Sequence, residues 1–489
     1  MFTPSAPDQT SRRACALAFG LIAAVTLARL ALLAFDPPNL SFDEAQYWAW
    51  AQTIQLGYYS KPPMVAWAIA ATTALFGDSE GAVKLGSTLA QGGTACLLVL
   101  LGRALFGRAA GAWSGAAWIT MPAVSLSAVM ITTDPFLLMC WAGALLALVE
   151  APRRGLGPNR WWVAFGIAFG LGLLSKYAMA FFLACLVLWL AWDRDSRRLA
   201  KAPGLWAGLG LGVLIYLPNL LWNAANGFVS YAHTKDNANL KGELFNPDKL
   251  AEFVVGQFGV FGPILMVGLV LGVVAALRKG ADSRLRLLAA FSLPVLAVMT
   301  TESLLSRANA NWTAPAFVAG TVLACWALAQ RWPRLLKLSL ALHLVIMGGM
   351  YGVDAARQVV DFRFDPEKRI KGWDRVGEQV SAILAAHPGA RLLADERKVL
   401  ATLIYYVHPH PFDAVKWNPS GKIHDHFDQT TRLEPDSGEL IYVTEQPEPP
   451  ADMRARFAVA ERIEDIVVPL HHDYARRLAV WRLAGFKGY

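Results

Sequence analysis

Hydrophobic and polar positions divide the chain near Asp354. Upstream, long apolar runs alternate with short polar segments rich in Arg and Lys; downstream the pattern turns amphipathic. About 20 consecutive apolar residues suffice for a helix that crosses a bilayer. Runs near that length fall at Ala14–Phe35, Glu80–Gly102, Ala109–Ile131, Phe136–Val149, Trp161–Leu174, Ala178–Trp192, Leu205–Leu221, Phe253–Leu277, Leu287–Thr301, Ala314–Ala329 and Leu338–Val353. The pattern therefore predicts an α-helical polytopic membrane protein with about 11 transmembrane helices. A cleaved signal peptide would have a shorter apolar region than Ala14–Phe35, so this first run is expected to remain as a span.

Pro62–Gly77 is apolar but opens with Pro-Pro and is only roughly 16 residues long, so it is expected to be a re-entrant or juxtamembrane helix. This choice sets the parity of everything after it. With it, the clusters Arg103/Arg108, Arg153/Arg154/Arg160, Arg194/Arg197/Arg198/Lys201, Arg278/Lys279/Arg284/Arg286 and Arg331/Arg334/Lys337 all face the cytoplasm, as basic loops do. Counted as a span, it would turn them outward. Arg29, inside the first run, is expected to snorkel to the interface, and His343, alone in the last run, to be a hydrogen-bonded core residue.

The region 354–489 reads as a small α/β domain after a transmembrane domain at 1–353. Helical periodicity marks Trp373–Ala386 and Val399–Val407; strand patterns mark Arg391–Ala394, Glu439–Thr444 and Leu478–Leu483. An odd number of spans places it on the outer face, as a lid or acceptor-binding domain.

Composition sharpens this picture in two places. The chain is 55% hydrophobic with 18 Trp, and its formal charge of +8 suits cytoplasmic loops better than nucleic acid. All five cysteines lie in or beside apolar runs, so no disulfide framework or cysteine metal site is legible. There is no internal repeat and no Gly-rich phosphate loop of the kind a nucleotide-driven pump would carry.

The candidate chemistry starts at Ser41–Met64, SFDEAQYWAWAQTIQLGYYSKPPM. Its aromatic run (Tyr47, Trp48, Trp50, Tyr58, Tyr59) suits the membrane–water interface. Asp43 and Glu44 open the segment and Lys61 closes it, the outline of a site for a lipid-anchored anionic substrate. Ser41 and Glu44 also fit a capping box, so Glu44 has a structural reading beside a catalytic one. Asp43 points elsewhere around the helix; its alternative is a favourable charge at a helix N-terminus. On the same outer face the topology collects Lys84, Asp134, Lys176, Glu302, Arg307 and Asn311. Ionisable groups at membrane depth are costly and mark sites or pathways. The lysines could hold a phosphate as point charges; Lys176 has interfacial anchoring as its alternative, and Asp134, before Pro135, could cap the next helix. In the tail, Trp373, Asp395, Arg397, Asn418 and His424 are polar and aromatic candidates for contacting a headgroup. His408/His410 and His424/Asp425/His426/Asp428 read as polar loops, and adjacent helical carboxylates diverge, so no metal or other cofactor is expected, although a divalent ion at Asp43/Glu44 would be chemically conceivable.

Taken together, FDEAQYW, GYYSKPP, ITTDPF, GLLSKY, PNLLWNAANGF and NANWTAPAF resemble GT-C glycosyltransferases, in particular the superfamily of protein O-mannosyltransferases and bacterial lipid A aminoarabinose and core galacturonic acid transferases. The resemblance covers the membrane part in order. It is less specific over the tail, where Gly372-Trp373, Leu392–Glu396 and Asn418–Gly421 resemble the periplasmic domain of bacterial members. It implies an inner-membrane enzyme that moves a monosaccharide, with inversion, from a polyprenyl-phosphate donor to a lipid A, lipopolysaccharide or other envelope glycan acceptor on the periplasmic face. By motif, Asp43 takes the catalytic aspartate position and Asp134 that of the second acidic residue. Lys61 takes the position of a lysine near the donor phosphate, where many bacterial relatives carry His. With Glu44 as a third acid, Lys84, Lys176 and Arg307 are the further phosphate-binding candidates; Tyr58, Tyr59, Asn311, Trp373 and Asn418 are the substrate-binding ones. The competing classes are a protein O-glycosyltransferase and a membrane lipid or sugar transporter. The latter usually shows repeat symmetry.

Overall fold

The computed structural model describes residues 9–237, 244–359, 368–435, 437–471 and 474–489. Contacts divide the chain into two compact units. One comprises Met1–Ala34, Lys61–Val65 and Lys84–Asp354; the other comprises Phe35–Ser60, Ala66–Val83 and Ala355–Tyr489.

In chain order the helices that matter below are α1 (Gln9–Phe35), α2 (Phe42–Ala51), α3 (Met64–Phe76), α4 (Glu80–Phe106), α5 (Arg108–Thr120), α6 (Pro122–Ala128), α7 (Thr133–Glu150), α8 (Arg160–Ser175) and α9 (Phe181–Trp192). They continue with α10 (Pro203–Ala225), α11 (Val229–Asn237), α12 (Pro247–Phe261), α13 (Pro263–Leu277), α14 (Ser283–Ala290), α15 (Leu293–Leu305), α16 (Ala314–Arg331) and α17 (Pro333–Val359). Among the described residues seven helical segments are long and apolar enough to cross a membrane: Arg12–Phe35, Glu80–Phe106, Thr133–Arg154, Pro203–Ala225, Ser283–Leu305, Ala310–Arg331 and Pro333–Val353. An eighth is the pair α12 and α13, bent by 102°. α3, α8 and the segment Tyr177–Trp192 are apolar but shorter. The chain is thus a multi-span helical membrane protein.

The expected continuous spans Ala109–Ile131 and Phe253–Leu277 are each broken at a proline. Pro122 has no N–H to continue α5, and the residue before it, Met121, is pushed to an extended conformation (φ −55°, ψ 138°). In Phe253–Leu277 the break is Gly262 at φ 92°, directly before Pro263, a backbone conformation that favours glycine. Elsewhere glycine permits contact rather than bending. A Cβ at Gly166 would lie 2.5 Å from the Gly208 carbonyl oxygen, and one at Gly170 would lie 2.8 Å from that of Gly212. The four-residue spacing on both strings lets α8 and α10 pack backbone to backbone, the arrangement that drives helix association in lipid. Aromatic side chains fill the bundle interior: Trp141, Phe165, Phe169, Phe182 and Phe291 meet edge to face, stacked or tilted.

One expectation about polar residues in the spans is corrected here. Arg29 does not snorkel: it is 1% exposed, bonded inside the protein. His343 is buried in the core as expected, and its ring fills the space that Gly262 leaves open, where a Cβ would lie 2.4 Å from Nε2.

The second unit is built on a five-stranded mixed sheet of β1 (Arg391–Ala394), β2 (Val415–Lys416), β3 (Leu440–Thr444), β4 (Phe457–His471) and β5 (Tyr474–Phe486), in the order β2-β1-β3-β5-β4. β2, β1 and β3 run parallel; β5 pairs antiparallel with β3 and β4. α18 (Trp373–Ala386) and α19 (Arg397–Tyr406) pack against it. Gly377 makes their close approach possible: a Cβ there would sit 2.3 Å from the Tyr406 carbonyl oxygen. The segments 35–60 and 66–83 belong to this unit through specific bonds. Tyr406 Oη accepts from the Leu40 N–H (2.7 Å) and donates to Glu80, and Tyr405 Oη donates to the Asp78 carbonyl (2.6 Å). Trp48 Nε1 donates to Asp78 Oδ1, and its ring packs on Tyr405, His410 and Phe412. So the aromatic run of Ser41–Met64 is a packing surface within this unit.

Candidate active site

Within the membrane-spanning unit the candidates come together around Asp134. The Thr132 side chain caps α7 by accepting from the Asp134 N–H, so Thr132, and not Asp134, is the helix cap. This frees the Asp134 carboxylate, and both its oxygens are taken by residues distant in sequence. Oδ1 accepts from Lys176 Nζ at 2.5 Å and Oδ2 from Asn311 Nδ2 at 3.0 Å. The ion pair is well shielded, the two side chains being 22% and 12% exposed.

Each partner is held in turn. Lys176 follows the C-terminus of α8 in an extended conformation. The next residue, Tyr177, is fixed by α10: its hydroxyl donates to Asn219 Oδ1 and accepts from Asn223 Nδ2 (3.2 Å). Tyr177 also packs against Tyr231 of α11. Asn311 lies in the short 3₁₀ turn Ala310–Thr313, pinned by Gln257 of α12, which accepts from Thr313 Oγ1 (2.6 Å) and donates to the Ala310 carbonyl (3.3 Å). The sequence reading assigned no role to Tyr177, Asn219, Asn223 or Gln257; Asn219 and Asn223 lie inside PNLLWNAANGF, which was the available signal.

Asp134 and Asn311 open onto a cavity of about 580 Å³ with mainly apolar walls, among them Trp118, Met121, Leu138 and Phe317. Its few polar wall groups are already bonded: Gln91 accepts from Trp118 Nε1 and donates to Ser127 Oγ. A dry-walled cavity with one fixed charged cluster at its edge suits a long apolar chain ending in an anion. Of the remaining candidates in this unit, Lys84 is fully buried one turn into α4, Lys61 is half-buried before Pro62, and Arg307 is exposed in the loop after α15.

In the second unit, Asp43 sits in the first turn of α2 and its Oδ1 accepts from Arg397 Nη1 at 2.9 Å. Arg397 also donates to Gln46 Oε1 and lies over the Phe42 ring, 4.8 Å from its centroid. Roughly half of the Asp43 side chain remains open to solvent. Glu44 is fully buried and completes the capping box: its Oε2 accepts from the Ser41 N–H (2.8 Å), and Ser41 Oγ accepts from the Glu44 N–H (3.4 Å). Tyr58 and Tyr59 are buried. Tyr58 stacks on Trp50, and its hydroxyl ties the loop after α2 through the Thr53 and Trp50 carbonyls. Trp373 is 2% exposed beneath the Arg476 guanidinium, 4.2 Å from the ring centroid. Asn418 braces its own turn by donating to the Lys422 carbonyl.

Of the tail histidines, His410 and His426 sit among aromatic rings, whereas His408 and His424 are exposed. Burial against Trp50 pulls the His426 imidazole down to about 4, and burial, then the neighbouring His408, lowers His410. Asp425 caps a short helix in a box with Asp428, and Lys416 pairs with both carboxylates.

The fold has solved counterparts. The chain superposes on ArnT from Cupriavidus metallidurans, solved bound to undecaprenyl phosphate, with a TM-score of 0.63 at 17% identity, over 94% of this chain and 97% of that one. The mycobacterial arabinofuranosyltransferase AftD superposes at a TM-score of 0.54 and 16% identity, over 99% of this chain and 42% of that one. The architecture is that of the GT-C membrane glycosyltransferases. In sequence, the lipid A galacturonosyltransferase RgtD of Rhizobium johnstonii is 31% identical over 432 residues, covering 87% of this chain and 90% of that protein. An undecaprenyl phosphate-α-4-amino-4-deoxy-L-arabinose arabinosyl transferase of Pseudomonas fluorescens is 31% identical over 176 residues, 35% of this chain and 32% of that protein. A profile of the dolichyl-phosphate-mannose-protein mannosyltransferase family matches residues 60–222. The chain belongs to the polyprenyl-phosphate-sugar-dependent GT-C glycosyltransferases, in the superfamily that unites the protein O-mannosyltransferases with the bacterial lipid A aminoarabinose and galacturonic acid transferases.

Proposed function

We propose that this enzyme transfers a single sugar, with inversion, from a polyprenyl-phosphate donor to lipid A or a related envelope glycan, in the bacterial inner membrane and on its periplasmic face. The observation that carries the reading is the Asp134–Lys176–Asn311 cluster at the edge of the apolar cavity. RgtD, similar over nearly the full length of both chains, acts on lipid A by name, which supports the acceptor class. The broken pairs α5–α6 and α12–α13 and the shorter apolar segments Arg160–Ser175 and Tyr177–Trp192, counted with the seven long helices, support about 11 crossings, with residues 354–489 on the periplasmic side.

The roles follow from the bonding. Asp134 has both oxygens engaged by donors; it aims the Lys176 ammonium, which stabilises charge developing on the departing phosphate. Lys61, Lys84 and Arg307 are further cations for the donor phosphate. Asp43, in the catalytic aspartate position by motif, is the carboxylate that meets the acceptor. Its bond to Arg397 directs it. A hydroxyl acceptor would give it a proton; a lipid A phosphate, already ionised, would only be oriented. Glu44 serves the start of α2. No step requires a metal.

The test is transfer by the purified protein in nanodiscs, without an ion gradient. Release of polyprenyl phosphate matched by labelled lipid A supports the reading. Movement of intact donor across the bilayer of proteoliposomes, with no release, would replace it with transport.

A further inference from the structure

Arg29 is an intramembrane cation that the roles above do not use. Its side chain donates through Nε to Tyr351 Oη (2.8 Å), and through Nη2 to the Ile119 carbonyl (2.8 Å) and to Ser125 Oγ (3.1 Å); Nη2 also lies 3.6 Å from Met347 Sδ. Tyr351 Oη donates onward to the Ser125 carbonyl (2.6 Å). All of these partners are neutral, and Nη1 is buried without one. Among the described residues no carboxylate pairs with this guanidinium, and hydrogen bonds to neutral groups offset the desolvation cost of a buried charge only in part.

Its place in the fold says where that charge acts. Ile119 and Ser125 flank the α5–α6 break, where the interrupted helix leaves carbonyls for Arg29 to bind. The neighbours of its partners, Trp118, Leu126 and Met350, line the apolar cavity. Arg29 is thus bonded to residues next in sequence to the cavity wall, with a positive charge that these partners do not neutralise.

We infer that Arg29 is a positioning residue for a lipid-linked phosphate, drawing the anionic end of a prenyl chain to the cavity through the field of its uncompensated charge. This rests on the donor reading above. The α5–α6 break supplies the network that holds the guanidinium at this depth, and the cavity supplies the low-dielectric path that lets one charge act across the thickness of a wall.

The experiment compares the affinity of the full-length protein in nanodiscs for undecaprenyl phosphate, undecaprenol and inorganic phosphate. Arg29→Gln removes the charge and keeps a donor for the Ile119 carbonyl; Ser125→Asp neutralises the charge with Arg29 in place. Each should lower the preference for undecaprenyl phosphate over undecaprenol on the order of tenfold, the effect of one charge acting over ~10 Å at an effective dielectric near 20. Arg29→Lys should keep most of that preference. Tyr351→Phe, which loosens the network but keeps the charge, should keep it as well. An unchanged preference in Arg29→Gln, or, if that variant does not fold, in Ser125→Asp, overturns the inference. So does an equal loss in Tyr351→Phe, which would make the network's shape the cause. Inorganic phosphate competing as well as the lipid would show a free-anion site instead. A wild-type protein that binds undecaprenol as tightly as its phosphate would refute the donor reading itself, a distinguishable outcome.

Discussion

Replacing Asp134 by Asn should disable the enzyme by releasing Lys176, and the structure sets the size of the effect. The two groups meet at 2.5 Å with side chains 12% and 22% exposed, so the pair is shielded from water without being fully desolvated. Losing one partner of a buried ion pair costs about 3–5 kcal/mol. The remaining exposure places this pair at or just below the lower end of that range, about 2–3 kcal/mol. The amide can still bond Asn311 but can no longer hold the ammonium. A catalytic cation displaced by about 1 Å loses roughly 10²-fold in rate. Lys176→Met removes the cation outright and should lose a similar factor. If Asp134 works only by aiming Lys176, the double variant should lose about 10²-fold rather than the roughly 10⁴-fold of independent roles. The assay is the initial rate of sugar transfer in nanodiscs for all four proteins, with melting temperature followed in parallel. Multiplicative losses in the double variant, or an Asp134→Asn protein at full rate, would refute the reasoning and give Asp134 a role of its own.

Asp43→Asn should retain donor binding but lose at least about 10²-fold in turnover with a hydroxyl acceptor; Arg397→Gln should raise the acceptor KM more than the donor KM, and equal shifts in both would deny it the orienting role. Because His426 is near 4 when folded and near 6.5 when unfolded, the unfolded chain binds the proton first, so stability should fall as pH drops from about 6.5 to 4, by up to about 3 kcal/mol. His426→Gln should flatten that part of the pH–stability curve. Gly208→Val, which puts side-chain atoms where a Cβ already meets the Trp162 carbonyl oxygen at 2.8 Å, should lower the melting temperature or the yield of folded protein, whereas the same change at Gly210, with nothing within 4 Å, should not. Reporter fusions after Arg154, Arg198 and Lys279 should read as cytoplasmic and those after Lys235 and Asp395 as periplasmic; a periplasmic signal at Arg154 would overturn the proposed topology.

What the sequence determined by itself is what local chemistry controls. Apolar runs of span length declared a membrane protein, because a backbone in lipid must satisfy its hydrogen bonds within the helix. The capping box at Ser41/Glu44 was legible because both partners lie one turn apart. In the tail, α18 and β1 fall where periodicity puts them. β4, with alternation interrupted by register shifts against β5, was not marked. Tertiary structure decided the partners. Asp134 is 42 residues from Lys176 and 177 from Asn311, and Asp43 is 354 from Arg397, separations over which no periodicity carries information. It also decided the fate of isolated polar residues in apolar runs. Arg29 looked like a snorkelling side chain because its run is otherwise apolar. Only the packing of α5, α6 and α17 around it supplied a carbonyl, a serine and a tyrosine inside the protein, and with them a charge held away from water. Pattern tells a residue which face of its own helix it occupies, but what stands opposite that face is settled by long-range packing, which a single chain does not spell out along its length.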